Sequence, residues 1–337
     1  MIRELVIISG KGGTGKTSLA ASFAVLAGRA VVADCDVDAS DLPLVLGPRV
    51  RERHEFWSGH EAVIRREDCL GCGACLDLCR FGAVGKRPGD GKSGAAEEKP
   101  PDCEHCDYCL RSCSLRTNAG IRDMMGVGGD ALSAEYAIDP IACEGCGVCV
   151  RFCPAGAIDL HERLSGEWMV SSTRCGPLVH ARLGIAAENS GKLVSTVRRE
   201  ARRIAEEENR SLIILDGPPG IGCPVIASVT GATQVLAVTE PSVSGEHDLE
   251  RILALTRHFG IATDVCVNKW DINIKMTERI ENAARRAGAR IAGRIRYDSG
   301  VTAAQVQEKT VVETDSPSAE DIRRIWDSLD PENKGER

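Results

Sequence analysis

The sequence predicts an α/β fold, a doubly wound parallel sheet interrupted by a cysteine-rich insertion. Three observations predict it. An apolar run, Leu5-Val6-Ile7-Ile8, leads into a glycine-rich loop and then a helix of small residues. After residue 190, apolar strand segments alternate with helical ones, the rhythm of parallel strands joined by right-handed crossovers. Between these two regions the cysteines concentrate: twelve of sixteen lie between Cys69 and Cys153. Hydrophobic residues make up 43% of the 337, enough for a packed core, and only 4% are aromatic, so that core is aliphatic.

Taken in order, the first strand runs into Ser9-Gly10-Lys11-Gly12-Gly13-Thr14-Gly15-Lys16-Thr17-Ser18, a G-x-x-x-x-G-K-[ST] match in strand–loop–helix context. Glycines let backbone N–H groups turn inward onto phosphate oxygens, and the helix N-terminus adds partial positive charge. Lys16 is placed to reach the β/γ-phosphates, and the Thr17 hydroxyl to ligate Mg²⁺. A second strand, Ala30 to Ala33, ends in Asp34-Cys35-Asp36 at the same sheet edge. We assign Asp36 to the attacking water and Asp34 to support of Mg²⁺. Asp38 and Asp41 read as turn or cap residues, and residues 39–46 as a loop with a short helical turn.

Residues 54–165 break the pattern. A short strand or hairpin is expected at 55–65, then three copies of C-x2-C-x2-C-x3-C: Cys69/Cys72/Cys75/Cys79, Cys103/Cys106/Cys109/Cys113 and Cys143/Cys146/Cys149/Cys153. At this spacing three thiolates occupy successive corners of one cubane 4Fe–4S cluster. The stretch from Gly85 to Gly94 reads as a linker and 126–130 as a second glycine-rich loop. The middle run lacks the glycines of the outer two. A third 4Fe–4S cluster is expected there, with zinc as the other reading.

Residues 166–185 are expected to be extended and to lead back to the sheet. A helix over 191–209 buries Leu193, Val194, Val197, Ala201, Ile204 and Ala205, with its arginines and glutamates on a solvated face. Strands follow at 212–215, 234–239, 262–267 and 290–296, with helices near 245–259, 275–288, 299–308 and 317–329. Asp216 ends a fully apolar strand and begins Asp216-Gly217-Pro218-Pro219-Gly220, a loop suited to hold Mg²⁺ through water and to sense the γ-phosphate. Asn268-Lys269-Trp270-Asp271 matches N-K-x-D, with Asn268 and Asp271 as base-recognition candidates. Cys35 and Cys266 read as small core residues, and His180, His247 and His258 as ordinary polar ones. Residues 331–337 read as a frayed tail.

Residues 11–17 resemble the deviant Walker A motif of the MinD/Mrp/ParA-type ATPases, relatives of the nitrogenase iron protein. Residues 176–183, 188–194, 216–225 and 239–249 sharpen the likeness to MinD-superfamily P-loop ATPases that carry an inserted ferredoxin domain. The resemblance implies a SIMIBI-type P-loop NTPase domain over 1–53 and 166–330, with an inserted α+β ferredoxin-like domain over 54–165. It implies ATP rather than GTP, a homodimer in which Lys11 reaches the partner's nucleotide, and Asp36 at the catalytic aspartate position. The first and third cysteine runs resemble the two halves of a bacterial ferredoxin. In such folds the fourth cysteine of each run ligates the other cluster. That gives one cluster on Cys69, Cys72, Cys75 and Cys153, and another on Cys143, Cys146, Cys149 and Cys79. Cys223 stands at an offset after Asp216 similar to that of a cluster-ligating cysteine in the nitrogenase iron protein. With Cys175 it is a candidate for a bridge between subunits, against a packed or structural thiol.

A net charge of −7, with both signs interspersed, argues against a nucleic-acid partner. Neither a signal peptide nor a transmembrane span is expected, so the C-x-x-C density reads as metal binding in a cytoplasmic protein. The functional expectation is an ATP-hydrolysing iron–sulfur protein that couples nucleotide state to electron transfer with a redox partner protein. The alternatives are an iron–sulfur assembly or carrier ATPase and a positioning ATPase of the MinD or ParA kind. The last wants a basic amphipathic C-terminal helix, and Glu320, Asp321 and Asp327 disfavour it.

Overall fold

The computed structural model describes residues 2–86, 136–184 and 190–329. The run Cys103/Cys106/Cys109/Cys113, most of the linker after Gly85, the glycine-rich stretch 126–130 and the tail 331–337 lie outside the described residues. The chain divides into two compact units. One comprises Met1–Phe56, Gly166–Leu183 and Asn189–Arg337; the other comprises Trp57–Ser165 and Gly184–Glu188.

The elements run β1 (Arg3–Ser9), α1 (Lys16–Ala27), β2 (Val31–Asp34), α2 (Leu42–Leu46), β3 (Arg49–Ile64), α3 (Ala74–Leu78), β4 (Val84–Lys86), β5 (Tyr136–Ile138), α4 (Val148–Arg151), β6 (Ile158–Thr173) and β7 (Gly176–Leu183). They continue with α5 (Ser190–Glu207), β8 (Leu212–Pro219), α6 (Cys223–Val229), β9 (Gln234–Thr239), α7 (Val243–His258), β10 (Ala262–Asn268), α8 (Ile274–Arg286), β11 (Arg290–Ile295), α9 (Gly300–Val306) and α10 (Pro317–Leu329).

Among the described residues the main sheet has nine strands in the order β11-β10-β9-β1-β8-β2-β7-β6-β3. β1 is central and pairs in parallel with β8 and β9. Its alternation explains its place. Val6 and Ile8 enter one core, Leu5 and Ile7 the other, and all four are fully buried. Full burial of such side chains stabilises by about 1.5–3 kcal/mol each. The second core packs α1 through Leu19, Phe23 and Ala24 against α10, whose Ile322, Ile325, Trp326 and Leu329 supply its apolar stripe. Phe23 and Trp326 meet with ring centroids 5.0 Å apart.

The expected sheet and the expected strand at 55–65 are both present, with two differences of detail. The sheet is mixed, because β6 runs antiparallel to β7. Only Arg174 and Cys175 separate those strands, too short a link for a crossover. The segment at 55–65 belongs to a 16-residue strand, β3. Its first half carries Arg49, Arg51, Glu52, Arg53, His54 and Glu55, the charged surface that protects an edge strand. The helix α5 also departs from a purely solvated polar face. Arg198 and Arg202 clasp Glu4, whose residue is fully buried, at Nε–Oε distances of 2.8 and 2.9 Å. A carboxylate in that position requires such partners.

In the second unit β4 and β5 form an antiparallel pair, with Val84 opposite Ile138. Among the described residues its core comprises Ala62, Ala83, Cys143 and Ile158, with Ile64, Ile138 and six more residues, mostly cysteines, packed around them.

Candidate functional site

The strand order delivers the polar candidates to one edge. β1, β2, β8, β9 and β10 end at Ser9, Asp34, Pro219, Thr239 and Asn268, and β8 carries Asp216 beside Asp34 of β2. In open α/β sheets ligands bind at these carboxyl ends, where the strand order reverses. The glycine loop between β1 and α1 is tied down locally, since the Ser9 hydroxyl donates to the Lys11 carbonyl at 2.7 Å. Gly15 caps α1 with φ at 89°, and a Cβ there would stand 2.5 Å from the Asn268 amide nitrogen. Both the backbone angle and the close approach require glycine.

Lys16 is buried, with Nζ 2.6 Å from Asp36 and 3.8 Å from Asp216. Burial alone would push the Lys16 amine down, but the charges of Asp216, Asp36 and Asp34 outweigh it and hold it above its ordinary value. Asp216 is fully buried, and neither carboxylate oxygen has a hydrogen-bond partner. Burial raises its acid to about 6, while Lys16 and the Thr17 hydroxyl oppose the rise without Thr17 closing a hydrogen bond of normal geometry. Asp34 is differently placed. It accepts from the Asp36 and Leu42 backbone N–H groups and from the Ser40 hydroxyl, so both its oxygens are engaged inside the protein. Burial, reinforced by the Asp216 charge, holds the Asp34 acid well above the usual range.

The N-K-x-D residues are likewise engaged. Asn268 donates to the Thr14 carbonyl at 2.8 Å and accepts from its neighbour, the Lys269 N–H. Asp271 accepts from the Tyr297 N–H at 2.7 Å. Both side chains shape the glycine loop and the loop after β11. Between them opens a cavity of about 290 Å³, walled by Gly13, Gly15, Ser18, Lys269, Tyr297 and Ser299 among others. Tyr297 and Asp298 had no sequence motif to announce them beyond their position after a strand. Glu240 is a third residue the motifs did not reveal. Its carboxylate binds Lys269 at 2.5 Å and Lys11 at 3.2 Å.

The second unit gathers the outer cysteines. One cavity is lined by Cys69, Cys72, Cys75 and Cys153, the other by Cys143, Cys146, Cys149 and Cys79. Each run thus gives three thiols to one cavity and its fourth to the other. Amide donors face the sulfurs: Ala157 N–H to Cys153 at 3.3 Å and Ala62 N–H to Cys143 at 3.5 Å. Burial pushes the Cys79 thiol up, but the N–H groups of Phe81, Ala83, Val84 and Gly82 outweigh it and leave it below its ordinary value. Burial pushes Cys75 up to about 11, with Cys72 and Cys69 adding to the rise. Among the described residues no three His, Cys, Asp or Glu side chains converge on a single-ion site. Thiols spread around a cavity suit a cubane, which offers each cysteine a separate iron.

The remaining candidates lie apart. Cys35 and Cys266 are fully buried, Cys175 is buried, and Cys223 is exposed at the start of α6. His180 is buried with its ring 2.9 Å from the Ser171 hydroxyl, and burial holds it down to about 4.

Residues 5–311 match the family described as the CobQ/CobB/MinD/ParA nucleotide binding domain. The chain belongs to this family. The CobQ/CobB/MinD/ParA assignment agrees with the fold. The cell division ATPase MinD of Pyrococcus furiosus superposes with a TM-score of 0.51, covering 98% of this chain and 99% of that one at 16% identity. MinD of Pyrococcus horikoshii, complexed with Mg-ADP, gives the same TM-score at 15% identity, covering 99% and 98%. At such identities the likeness concerns the fold. The uncharacterized protein MJ0578 of Methanocaldococcus jannaschii is 29% identical over 276 residues, 81% of this chain and 80% of that protein. The polyferredoxin MvhB of Methanothermus fervidus is 30% identical over 105 residues, 29% of this chain and 22% of that protein. The nucleotide-binding domain family and the glycine loop together make this a nucleotide-binding P-loop protein. No helix among the described residues is long and apolar enough to cross a membrane.

Proposed function

We propose that this P-loop protein binds and hydrolyses ATP as a homodimer and couples its nucleotide state to electron transfer with a redox partner through 4Fe–4S clusters. The observation that carries the reading is the pair of four-cysteine cavities on a chain that also holds a complete P-loop. The likeness of part of the chain to a polyferredoxin supports it.

In this reading the loop amides and Lys16 bind the β/γ-phosphates. The buried Asp216 carboxylate, lacking hydrogen-bond partners, and the adjacent Thr17 hydroxyl fit a Mg²⁺ ion that takes oxygen ligands and keeps several waters. Asp34 is the weaker candidate, because backbone and Ser40 donors already hold it. When phosphate draws Lys16 away, Asp36 loses its 2.6 Å partner and becomes available to orient the attacking water. Lys11, anchored by Glu240 within its own chain, must leave that contact to reach a partner's nucleotide. The cavity beside Tyr297 takes the base, held by loop backbone because Asn268 and Asp271 are engaged elsewhere. The cysteine cavities would hold the two outer clusters, which supply one-electron chemistry at potentials set by charge and hydrogen bonds. A third cluster is assigned to Cys103, Cys106, Cys109 and Cys113.

Anaerobic purification with iron and sulfide analysis, and ATP hydrolysis by wild type and Lys16→Ala, test the reading. Cluster-bound iron and Lys16-dependent hydrolysis are expected. Zinc in place of iron, or hydrolysis unaffected by Lys16→Ala, would overturn it.

A further inference from the structure

The two cysteine cavities are related by an internal repeat. Shifting the first run onto the third superimposes Cys69 on Cys143, an offset of 74 residues. Nearly every wall residue of one cavity then has its counterpart in the wall of the other. Ile64 lines the first and Ile138 the second; Gly73 answers Gly147, Ala157 answers Ala83, and Ile158 answers Val84. Amide donors to sulfur occur at both, so they do not separate the sites.

Against this matched background two counterpart pairs differ in polarity. Tyr136 lines the first cavity, and the residue answering it in the second is Ala62. The Tyr136 hydroxyl sits against Gly73: a Cβ on that glycine would stand 3.0 Å from it, and Gly73 has φ at 74°. Glycine there keeps the hydroxyl at the cavity wall. The second pair is Leu70 in the first cavity and Glu144 in the second, each directly after the first cysteine of its run.

We propose that these residues tune the two sites apart, so that the Cys69/Cys72/Cys75/Cys153 site is the more easily reduced and the Cys143/Cys146/Cys149/Cys79 site the less. The inference rests on the reading that both cavities hold 4Fe–4S clusters. Reduction adds negative charge. A hydroxyl dipole at the first cavity stabilises that added charge, and a carboxylate at the second opposes it. The two differences therefore act in the same direction. Because Glu144 is exposed, solvent screens its effect. We expect each residue to change the reduction equilibrium of its own site by about tenfold, or about 59 mV for one electron.

The test is an EPR-monitored dithionite titration of the full-length, cluster-loaded protein under anaerobic conditions, preceded by iron analysis. Wild type should show the two outer sites reducing at separate potentials. Tyr136→Phe, which keeps the ring and removes the hydroxyl, should lower the higher midpoint and leave the lower one in place. Glu144→Leu, which installs the residue of the first site, should raise the lower midpoint alone, whereas Glu144→Asp should restore it. Loaded protein whose outer sites titrate together, or whose midpoints ignore both substitutions, overturns the inference and leaves the cluster reading intact. Protein without cluster iron overturns both.

Discussion

The buried Asp216 carboxylate yields a quantitative prediction. Its acid stands at about 6, against an ordinary 3.8, because burial penalises the anion more than Lys16 favours it. With its folded value raised, the folded state holds a proton between those limits that the unfolded chain has lost. Stability of the nucleotide-free protein is therefore highest on the acid side and falls as pH rises through about 6. Mg²⁺ reverses the preference, since it requires the anion. Proton and Mg-nucleotide then compete, and affinity for Mg-ADP should fall about tenfold from pH 7 to pH 5. Equilibrium titration of Mg-ADP across that range, on wild type and Asp216→Asn, measures it. Asp216→Asn should bind more weakly at pH 7 but lose the additional acid dependence. Equal pH slopes in the two proteins would refute the assignment of Asp216 to the metal.

Further predictions follow from other contacts. Glu240→Gln removes the partly exposed ion pair that anchors Lys11, worth about 1 kcal/mol, and should increase the ATP-dependent dimer fraction several-fold in sedimentation velocity. Trp326→Ala empties the contact with Phe23 in a buried layer and should cost about 3–5 kcal/mol, read from the denaturant midpoint of the nucleotide-binding unit. Cys153→Ser and Cys72→Ser should abolish the same spectroscopic signal, each removing about four irons per chain, while Cys79→Ser matches Cys146→Ser.

Much of this architecture is legible in the sequence because its signals are local. The glycine loop lies between a strand and a helix that are contiguous with it, so one stretch specifies position and chemistry together. The fully buried strands around Leu5 and Ile213 announce a sheet covered on both faces. The cysteine exchange is what the resemblance of the outer runs to the two halves of a bacterial ferredoxin implies, and the same sets of four thiols line the two cavities. What the sequence conceals are partnerships between distant residues. Glu4 meets Arg198 and Arg202 nearly 200 positions away, converting a helix face that looks solvated into an ion-paired one. Asn268 reads as a base contact, yet its amide holds the Thr14 carbonyl 254 residues earlier. Asp34 and Asp36 share one strand end in the chain, and the sequence does not show that different partners hold them. Ser40 and the Leu42 N–H engage the first, and Lys16 engages the second. The antiparallel turn to β6 was hidden because extended segments carry no mark of their direction.

The central claim is that nucleotide state and cluster state are coupled. It is tested most directly by the midpoint potentials of the anaerobic protein with and without Mg-ATP, paired with its ATP hydrolysis rate when oxidised and when reduced. Mg-ATP is expected to shift at least one midpoint, and the hydrolysis rate to differ between the two redox states. Identical potentials with and without nucleotide, together with identical rates, would contradict it.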